Sequence, residues 1–259
     1  MTQGTWPANL ERGTIPATHL PMWRESFALI EAALLHLAPV YYGLGAPRGD
    51  GSGVVIIPGF LGTDVMLAAM YAWLHRMDYR PYFSGLRLNA ECPNLLIKRT
   101  LNGTLDRARR ETGKKVHLVG HSLGGIIALA MSEQRPQDVA SVTMLAAPFR
   151  GTAAHPNILR AAEFVRKSIR EQHGENVLPD CYTGRCGCNF VDSLTRALPE
   201  SVTVTAIYSQ TDSIVDWRYC VTGNPALDFE VPGTHLGLIF NPTVYALMAR
   251  RLALARTET

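Results

Sequence analysis

Ser122 stands in a short motif that could make its hydroxyl a nucleophile. Residues 120–124 read G-H-S-L-G and match the pattern G-x-S-x-G. The apolar run 116–119 before them predicts a buried strand, and residues 124–134 after them predict a helix. Glycines at both ends of the motif let a strand and a helix approach closely, which holds the serine on a strained turn with its hydroxyl exposed. A glycine-rich turn that carries a surface serine is the structural alternative.

A serine hydroxyl reacts only when a nearby imidazole accepts its proton, so one of the eight histidines must act as the base. We predict that this base is His235. It lies in the segment 232–237, P-G-T-H-L-G, after a strand-like run at 227–231 and before the last helix. The alternative for His235 is a structural loop histidine. The other histidines lie early in the chain, in or beside the strand before Ser122, or in the irregular region 150–200: His19, His36, His75, His117, His121, His155 and His173.

The imidazole needs a carboxylate on its other nitrogen, and two candidates stand close together. Asp212 begins the loop after the strand-like run 202–208, and Asp216 follows in the same loop. We favour Asp212 because it stands first in the loop and opens the pattern D-x-x-V at residues 212–215. For Asp216 we expect a cap or a surface contact.

Strand-like and helix-like segments alternate along the chain, which predicts an α/β fold with a mostly parallel sheet covered by helices on both faces. The strands are expected at 54–57, 80–83, 116–119, 141–146, 202–208 and 227–231, and the helices at 23–37, 64–77 with Asp64 as a cap, 95–112, 124–134 and 242–255. We predict one domain over 1–259. Residues 150–200 break the alternation and are interpreted as a cap insertion, whose amphipathic helix at about 156–172 either covers the site or packs on the core.

With these segments in place, the chain resembles the α/β-hydrolase superfamily, and more narrowly its esterases and triacylglycerol lipases. The likeness rests on residues 57–64 (I-P-G-F-L-G-T-D), on 120–125, on 147–152 (A-P-F-R-G-T), and on the order nucleophile, acid, histidine. It implies the α/β-hydrolase fold and an oxyanion hole formed by the backbone amides of Phe60 and Leu123. The side chains of Phe60 and Leu61 would help to line an apolar substrate-binding pocket.

The resemblance predicts hydrolysis of a carboxylic ester through an acyl-enzyme, with a small-molecule or lipid-like ester as substrate and no cofactor. The same catalytic residues could instead serve acyl transfer, or cleave thioesters or amides. A non-catalytic binding protein of this fold would be expected to lack one of Ser122, Asp212 and His235. None is missing from this sequence.

Composition narrows the possible partners. The chain has 259 residues, 47% of them hydrophobic, and a formal net charge of +3 with scattered basic residues, so a nucleic-acid partner is not expected. The longest apolar run, 65–74, is far shorter than the roughly 20 residues of a transmembrane helix. Residues 1–20 show no secretory signal, which favours a cytoplasmic protein, although secretion after removal of a signal stays open. The oligomeric state is not predicted.

Five cysteines complete the set of reactive side chains. Cys181, Cys186 and Cys188 are crowded together, and Cys220 follows the acid loop. These four could bind zinc, form disulfides or stay free, and their spacing does not decide among these alternatives. Catalysis by a serine needs no metal, so we assign the cluster a structural role. Cys92 is expected to be a lone thiol.

Overall fold

The computed structural model describes residues 20–151, 154–174, 177–178, 180–181, 186–196 and 200–255. Most of the leader 1–20 and parts of the predicted cap lie outside these residues. Six strands form one sheet: β1 Gly53–Ile57, β2 Arg80–Phe83, β3 Val116–His121, β4 Val139–Leu145, β5 Thr203–Tyr208 and β6 Asp228–Glu230. Their order is β2-β1-β3-β4-β5-β6, and every neighbouring pair is parallel. The predicted parallel α/β sheet is confirmed.

The α-helices of the described part are α1 Ala28–Leu37, α2 Ala68–Arg76, α3 Pro93–Leu96, α4 Asn102–Thr112, α5 Leu123–Gln134, α6 Pro156–His173, α7 Asn189–Ser193 and α8 Pro242–Leu254. The predicted helix at 23–37 divides into a 3-10 turn, Met22–Phe27, followed by α1. The predicted helix at 95–112 contains a π-helical turn, Ile97–Leu101, between α3 and α4, and it ends as expected at Gly113 in the left-handed conformation.

The core lies on both faces of the sheet. Side chains of β1 alternate between two hydrophobic clusters, because successive residues of a strand point to opposite faces. Val54 and Ile56 pack in the cluster beneath α1, α2 and α8, whereas Val55 and Ile57 pack in the cluster beneath α4 and α5. All four are fully buried. This pattern explains the uninterrupted apolar run, since a strand covered on both faces has no polar side.

The order of strands places a crevice between β1 and β3. The chain passes from β1 to β2 on one side and then returns to β3 on the other side of β1. Loops that leave such a switch point at the carboxyl ends of the strands diverge and form a ligand crevice. The loop after β1 and the Ser122 turn after β3 are the two loops that flank it.

Asp64 does not cap a helix, so that prediction is wrong. The N-cap of the 3-10 turn Asp64–Leu67 is Thr63, which makes no side-chain cap bond. The Asp64 carboxylate instead accepts hydrogen bonds from the Ser84 amide (3.1 Å), the Ser84 hydroxyl (2.6 Å) and the Gly85 amide (2.9 Å). Three donors just after β2 outcompete the single bond of a cap. Asp64 thereby ties the loop after β1 to the loop after β2.

Among the described helices, none has the length and apolar character to span a membrane.

Candidate active site

Ser122 occupies a strained turn between β3 and α5. Its backbone has φ 52° and ψ −123°, a region that non-glycine residues avoid. Such a conformation costs about 1–3 kcal/mol and persists only where the surroundings enforce it. Here the Ser122 amide donates to the carbonyl of Leu145 at 2.7 Å, and the Ser122 carbonyl accepts from Gly125 at 2.9 Å. The turn has the geometry of a nucleophile elbow.

Two glycines allow this turn to form. A Cβ atom on Gly120 would overlap the carbonyl of Gly124, and a Cβ on Gly124 would overlap the carbonyls of Ile57 and Pro58. The helix that follows Ser122 therefore lies directly against the end of β1. The sequence motif reflects this close approach of two backbones.

Asp212 and His235 form a buried pair at the ends of β5 and β6. The distance from Asp212 Oδ2 to His235 Nδ1 is 2.6 Å, and the side chains are 2% and 3% exposed. The other carboxylate oxygen, Oδ1, accepts from the amides of Ile214 and Val215, each at 2.8 Å. The bond fixes the proton on Nδ1 and leaves Nε2 as the basic nitrogen.

Charges around His235 favour its protonated form. Burial alone would lower the pKa of the imidazole, but the Asp212 charge, its hydrogen bond and the Glu25 charge together raise the pKa above its ordinary value. Glu25 was not among the predicted site residues.

Asp216, the alternative acid, is committed elsewhere. Its carboxylate binds the Arg218 side chain, with Nη2 to Oδ2 at 2.5 Å, and also accepts from the Arg218 amide at 3.0 Å. It thereby caps the 3-10 turn Trp217–Tyr219. The structure therefore pairs Asp212 with His235. Asp216 caps a 3-10 turn, which is one of the two alternative roles that we expected for it.

His121 connects the serine turn to the histidine loop. Its ring centre is 4.7 Å from that of His235, and its Nε2 donates to the His235 carbonyl at 3.0 Å. Burial, with the nearby His235 charge, lowers the pKa of His121 to about 3, so its ring stays neutral. Within the described residues, no hydrogen bond joins the Ser122 hydroxyl to His235. Catalytic hydrogen bonds are often long without substrate and tighten when it binds.

The loop after β1 carries Phe60, the first predicted oxyanion donor, and lies close against the serine turn. A Cβ atom built on Gly59 would lie 3.2 Å from the Ser122 Cβ. Leu61, with φ 56°, donates its amide to the carbonyl of Asn89 at 2.9 Å. The Asn89 side chain donates to the Pro58 carbonyl at 2.8 Å, and Asn89 is fully buried. Asn89 was not among the predicted site residues. It holds this loop through Pro58, from which it is separated by 31 positions in the sequence.

Leu123, the second predicted oxyanion donor, is the first residue of α5. Amides in the first turn of a helix have no intrahelical acceptor, and the helix dipole places partial positive charge there. The structure thus brings the Leu123 and Phe60 segments to the same crevice at the carboxyl edge of the sheet.

The helix predicted within the cap is α6, and one face of it packs beside the loop after β1. Val165 and Ile169 share a small hydrophobic cluster with Phe60. By contrast, Leu61 is 45% and Phe164 is 75% exposed, so apolar surface remains on the loop and on α6. A hollow elsewhere on α6 is lined by charged side chains and contains none of the predicted site residues.

The four cysteines that the sequence analysis grouped together do not form one cluster in the structure, because Cys220 lies apart from Cys181. All five are free in the structure, and the described residues contain no group of three or more His, Cys, Asp or Glu suited to a metal ion. Cys220 is buried in the main core, away from the small cluster that holds Cys181. Cys92 is a free thiol, as expected, but it is not isolated from the other cysteines: it packs in the same cluster as Cys181, and a hydrogen bond from Cys181 lowers the pKa of Cys92.

Comparison with known proteins agrees with this architecture. A family model described as the alpha/beta hydrolase fold matches residues 97–180. The lipase BlEst2 of Bacillus licheniformis superposes with a TM-score of 0.51 at 15% identity, over 80% of this chain and 94% of the lipase. A thermophilic esterase of Thermogutta terrifontis gives a TM-score of 0.51 at 16% identity, over 81% and 92% of the two chains. The chain has the α/β-hydrolase fold.

Other solved structures with this fold include a candidate non-heme bromoperoxidase, BpoC of Mycobacterium tuberculosis H37Rv. It has a TM-score of 0.50 and 18% identity, and the match covers 81% of this chain and 95% of BpoC. No curated protein matches this chain at a significant level of sequence similarity. The fold alone does not identify the reaction, because one fold hosts many chemistries. The residues of the site carry that information.

Proposed function

We propose that this α/β-hydrolase cleaves carboxylic esters through an acyl-enzyme formed on Ser122. The observation that carries the proposal is the buried pair of Asp212 and His235, joined at 2.6 Å at the same sheet edge as the strained Ser122 turn. A serine turn alone would support only a weak inference. A serine turn together with an oriented imidazole supports nucleophilic catalysis.

In the acylation step, the Ser122 hydroxyl attacks the ester carbonyl carbon while His235 Nε2 takes its proton. The carbonyl oxygen becomes negative and accepts hydrogen bonds from the Phe60 and Leu123 amides. Asp212 stabilises the imidazolium through Nδ1 without itself becoming protonated. When the tetrahedral intermediate collapses, the carbon–oxygen bond to the alcohol breaks, and His235 returns the proton to the leaving alkoxide.

Deacylation repeats these roles with water. His235 removes a proton from a water molecule as that water attacks the acyl carbon, and the proton then passes to the departing Ser122 oxygen. The products are a carboxylic acid and free enzyme. Every group in this cycle belongs to the protein, the substrate or the attacking water.

For the substrate we propose a small-molecule or lipid-like ester. Phe60 and Leu61 carry apolar side chains on the oxyanion loop, which would favour an apolar acyl group. The names of two structural neighbours, a lipase and an esterase, agree with this class.

The experiment is a panel of p-nitrophenyl esters of increasing acyl length, assayed with the parent protein and with Ser122→Ala. We expect hydrolysis by the parent and a loss of at least about 10³-fold in kcat for the variant. Ser132→Ala serves as the matched control, because Ser132 is likewise buried, lies on α5 and donates its hydroxyl to the Leu129 carbonyl within that helix. Parent-like activity of Ser122→Ala would refute the proposal.

A further inference from the structure

A buried carboxylate from the start of the chain reaches beneath the acid–base pair. Glu25 lies in the 3-10 turn Met22–Phe27 and is 8% exposed. Its Oε1 accepts from the Ser213 amide (3.4 Å), the Ser213 hydroxyl and the His235 amide (3.3 Å), and its Oε2 accepts from the Leu236 amide (2.9 Å). Four donors around one buried carboxylate make a fully engaged site.

These donors belong to two different loops. Ser213 directly follows Asp212 in the loop after β5, whereas His235 and Leu236 belong to the loop after β6. Glu25 is therefore a bridge between the residues that flank the acid and the base, although it lies 188 and 210 positions before Ser213 and His235. With His121 holding the His235 carbonyl, both backbone polar groups of His235 are fixed from outside its own loop.

We propose that Glu25 is a positioning residue for catalysis: its buried carboxylate clamps the acid and histidine loops together and holds the His235 imidazole in the correct orientation against Asp212. This inference rests on the proposed function. Glu25 does not touch the substrate or the reacting atoms. It acts through His235, by the two amide bonds at residues 235 and 236 and by its negative charge close to the imidazole.

Glu31 offers a natural comparison. It lies on α1, and its carboxylate also binds the histidine loop, accepting from the Thr234 amide at 3.1 Å and the Thr234 hydroxyl at 2.6 Å. Glu31 thus binds the residue before His235, whereas Glu25 binds the His235 amide itself and its charge raises the pKa of the imidazole. Two carboxylates of the same N-terminal segment thus contact the same loop, and among the bonds of the described residues it is Glu25 that also reaches the acid loop, at Ser213.

Several ionisable groups surround the acid–base pair and must be considered in any pH test. Asp212 faces the imidazole from the loop after β5, Glu25 from the N-terminal turn and His121 from the end of β3. Cys220 lies near Asp212, and its pKa is raised well above the ordinary value by burial and by the charges of Asp212 and Asp216. His121 and Cys220 are therefore neutral near pH 7, which leaves Asp212 and Glu25 as the charges that act on His235.

The test is the pKa of His235, measured by NMR titration of its ring signals in the parent, Glu25→Gln, Glu25→Asp and Glu31→Gln proteins. In Glu25→Gln the amide oxygen can replace Oε1 and keep three of the four bonds, while the charge is lost and the bond from Leu236 fails. We expect the pKa of His235 to fall by about one unit, the lower end of the effect of one nearby charge. Glu25→Asp retains the charge and should leave the pKa close to the parent value, and Glu31→Gln should leave it unchanged.

Kinetics provide the second readout. Glu25→Gln and Glu25→Asp should lower kcat by about 10- to 100-fold through displacement of His235, with KM changed by less than about twofold. Equal pKa values of His235 in the parent and Glu25→Gln, or an equal shift in Glu31→Gln, would overturn the proposal. If Glu25→Gln does not fold, Glu25→Asp decides: a parent-like kcat would contradict positioning, and a reduced kcat with an unchanged pKa would support it.

The two readouts also separate this inference from the proposed function. A parent protein that cleaves no ester would refute the function, yet the titration of His235 would still test the role of Glu25. Ester cleavage that is lost in Ser122→Ala but unaffected in both Glu25 variants would support the function and refute positioning by Glu25.

Discussion

Replacement of Asp212 by asparagine should nearly abolish activity while leaving the fold intact. Oδ1 of Asp212 accepts two backbone amides, from Ile214 and Val215, at 2.8 Å each. In Asp212→Asn only the amide oxygen can take that position, so the NH₂ group must face His235. It would donate to Nδ1 and force the ring proton onto Nε2, the nitrogen that must accept the serine proton.

The size of this effect follows from losing both the correct tautomer and the stabilising charge. The equivalent substitution in a serine protease triad lowers kcat by about 10⁴, which corresponds to about 5.4 kcal/mol at 1.36 kcal/mol per factor of ten. We expect a loss of about 10³- to 10⁴-fold in kcat for this protein. Initial rates on a p-nitrophenyl ester measure it, with circular dichroism at rising temperature as the check that the variant folds.

Asp216→Asn is the matched control, because Asp216 is buried in the same loop but bonds Arg218. Its kcat should stay within about threefold of the parent, because the asparagine oxygen can still cap the turn. An Asp212→Asn protein with parent-like kcat would refute the assignment of the acid. So would an Asp216→Asn protein that loses as much activity as Asp212→Asn.

Two further predictions concern pH and the oxyanion loop. Since Asp212 and Glu25 raise the pKa of His235, and only the neutral imidazole is a base, kcat/KM should rise with pH through a midpoint above the ordinary value of 6.5; a midpoint below 6.5 in a pH–rate profile would contradict this. Asn89→Ala removes the bond to the Pro58 carbonyl and should lower kcat by about tenfold as the Phe60 amide loses its fixed position. Steady-state kinetics measure this loss, and an unchanged kcat would show that Asn89 does not support the oxyanion loop.

The sequence predicts the strands and the Ser122 turn well, because both leave local signals. Buried parallel strands are short apolar runs, and β1 and β2 lie within a residue of their predicted bounds. Ser122 lies in a five-residue motif whose two glycines, Gly120 and Gly124, are required by close backbone contacts. The motif can therefore be recognised from five consecutive residues.

Residues that act across the fold leave no such local signal. Glu25 reads as one more charged residue near an amphipathic helix, since its partners lie near the other end of the chain. Asn89 and His121 are similar: each has a role only because the fold brings a distant carbonyl to it. For Asp64 the local sequence is misleading. It predicts a helix cap, but the carboxylate instead binds Ser84, which the fold places beside it just after β2.

The most direct test of the central claim is covalent labelling of the parent protein with a fluorophosphonate, followed by mass spectrometry of its peptides. Activated serines react with this reagent because the phosphorus mimics the tetrahedral intermediate. We expect a stoichiometric adduct on Ser122 that is absent from Ser122→Ala and strongly reduced in Asp212→Asn. No adduct, or an adduct on another residue that persists in Ser122→Ala, would contradict it.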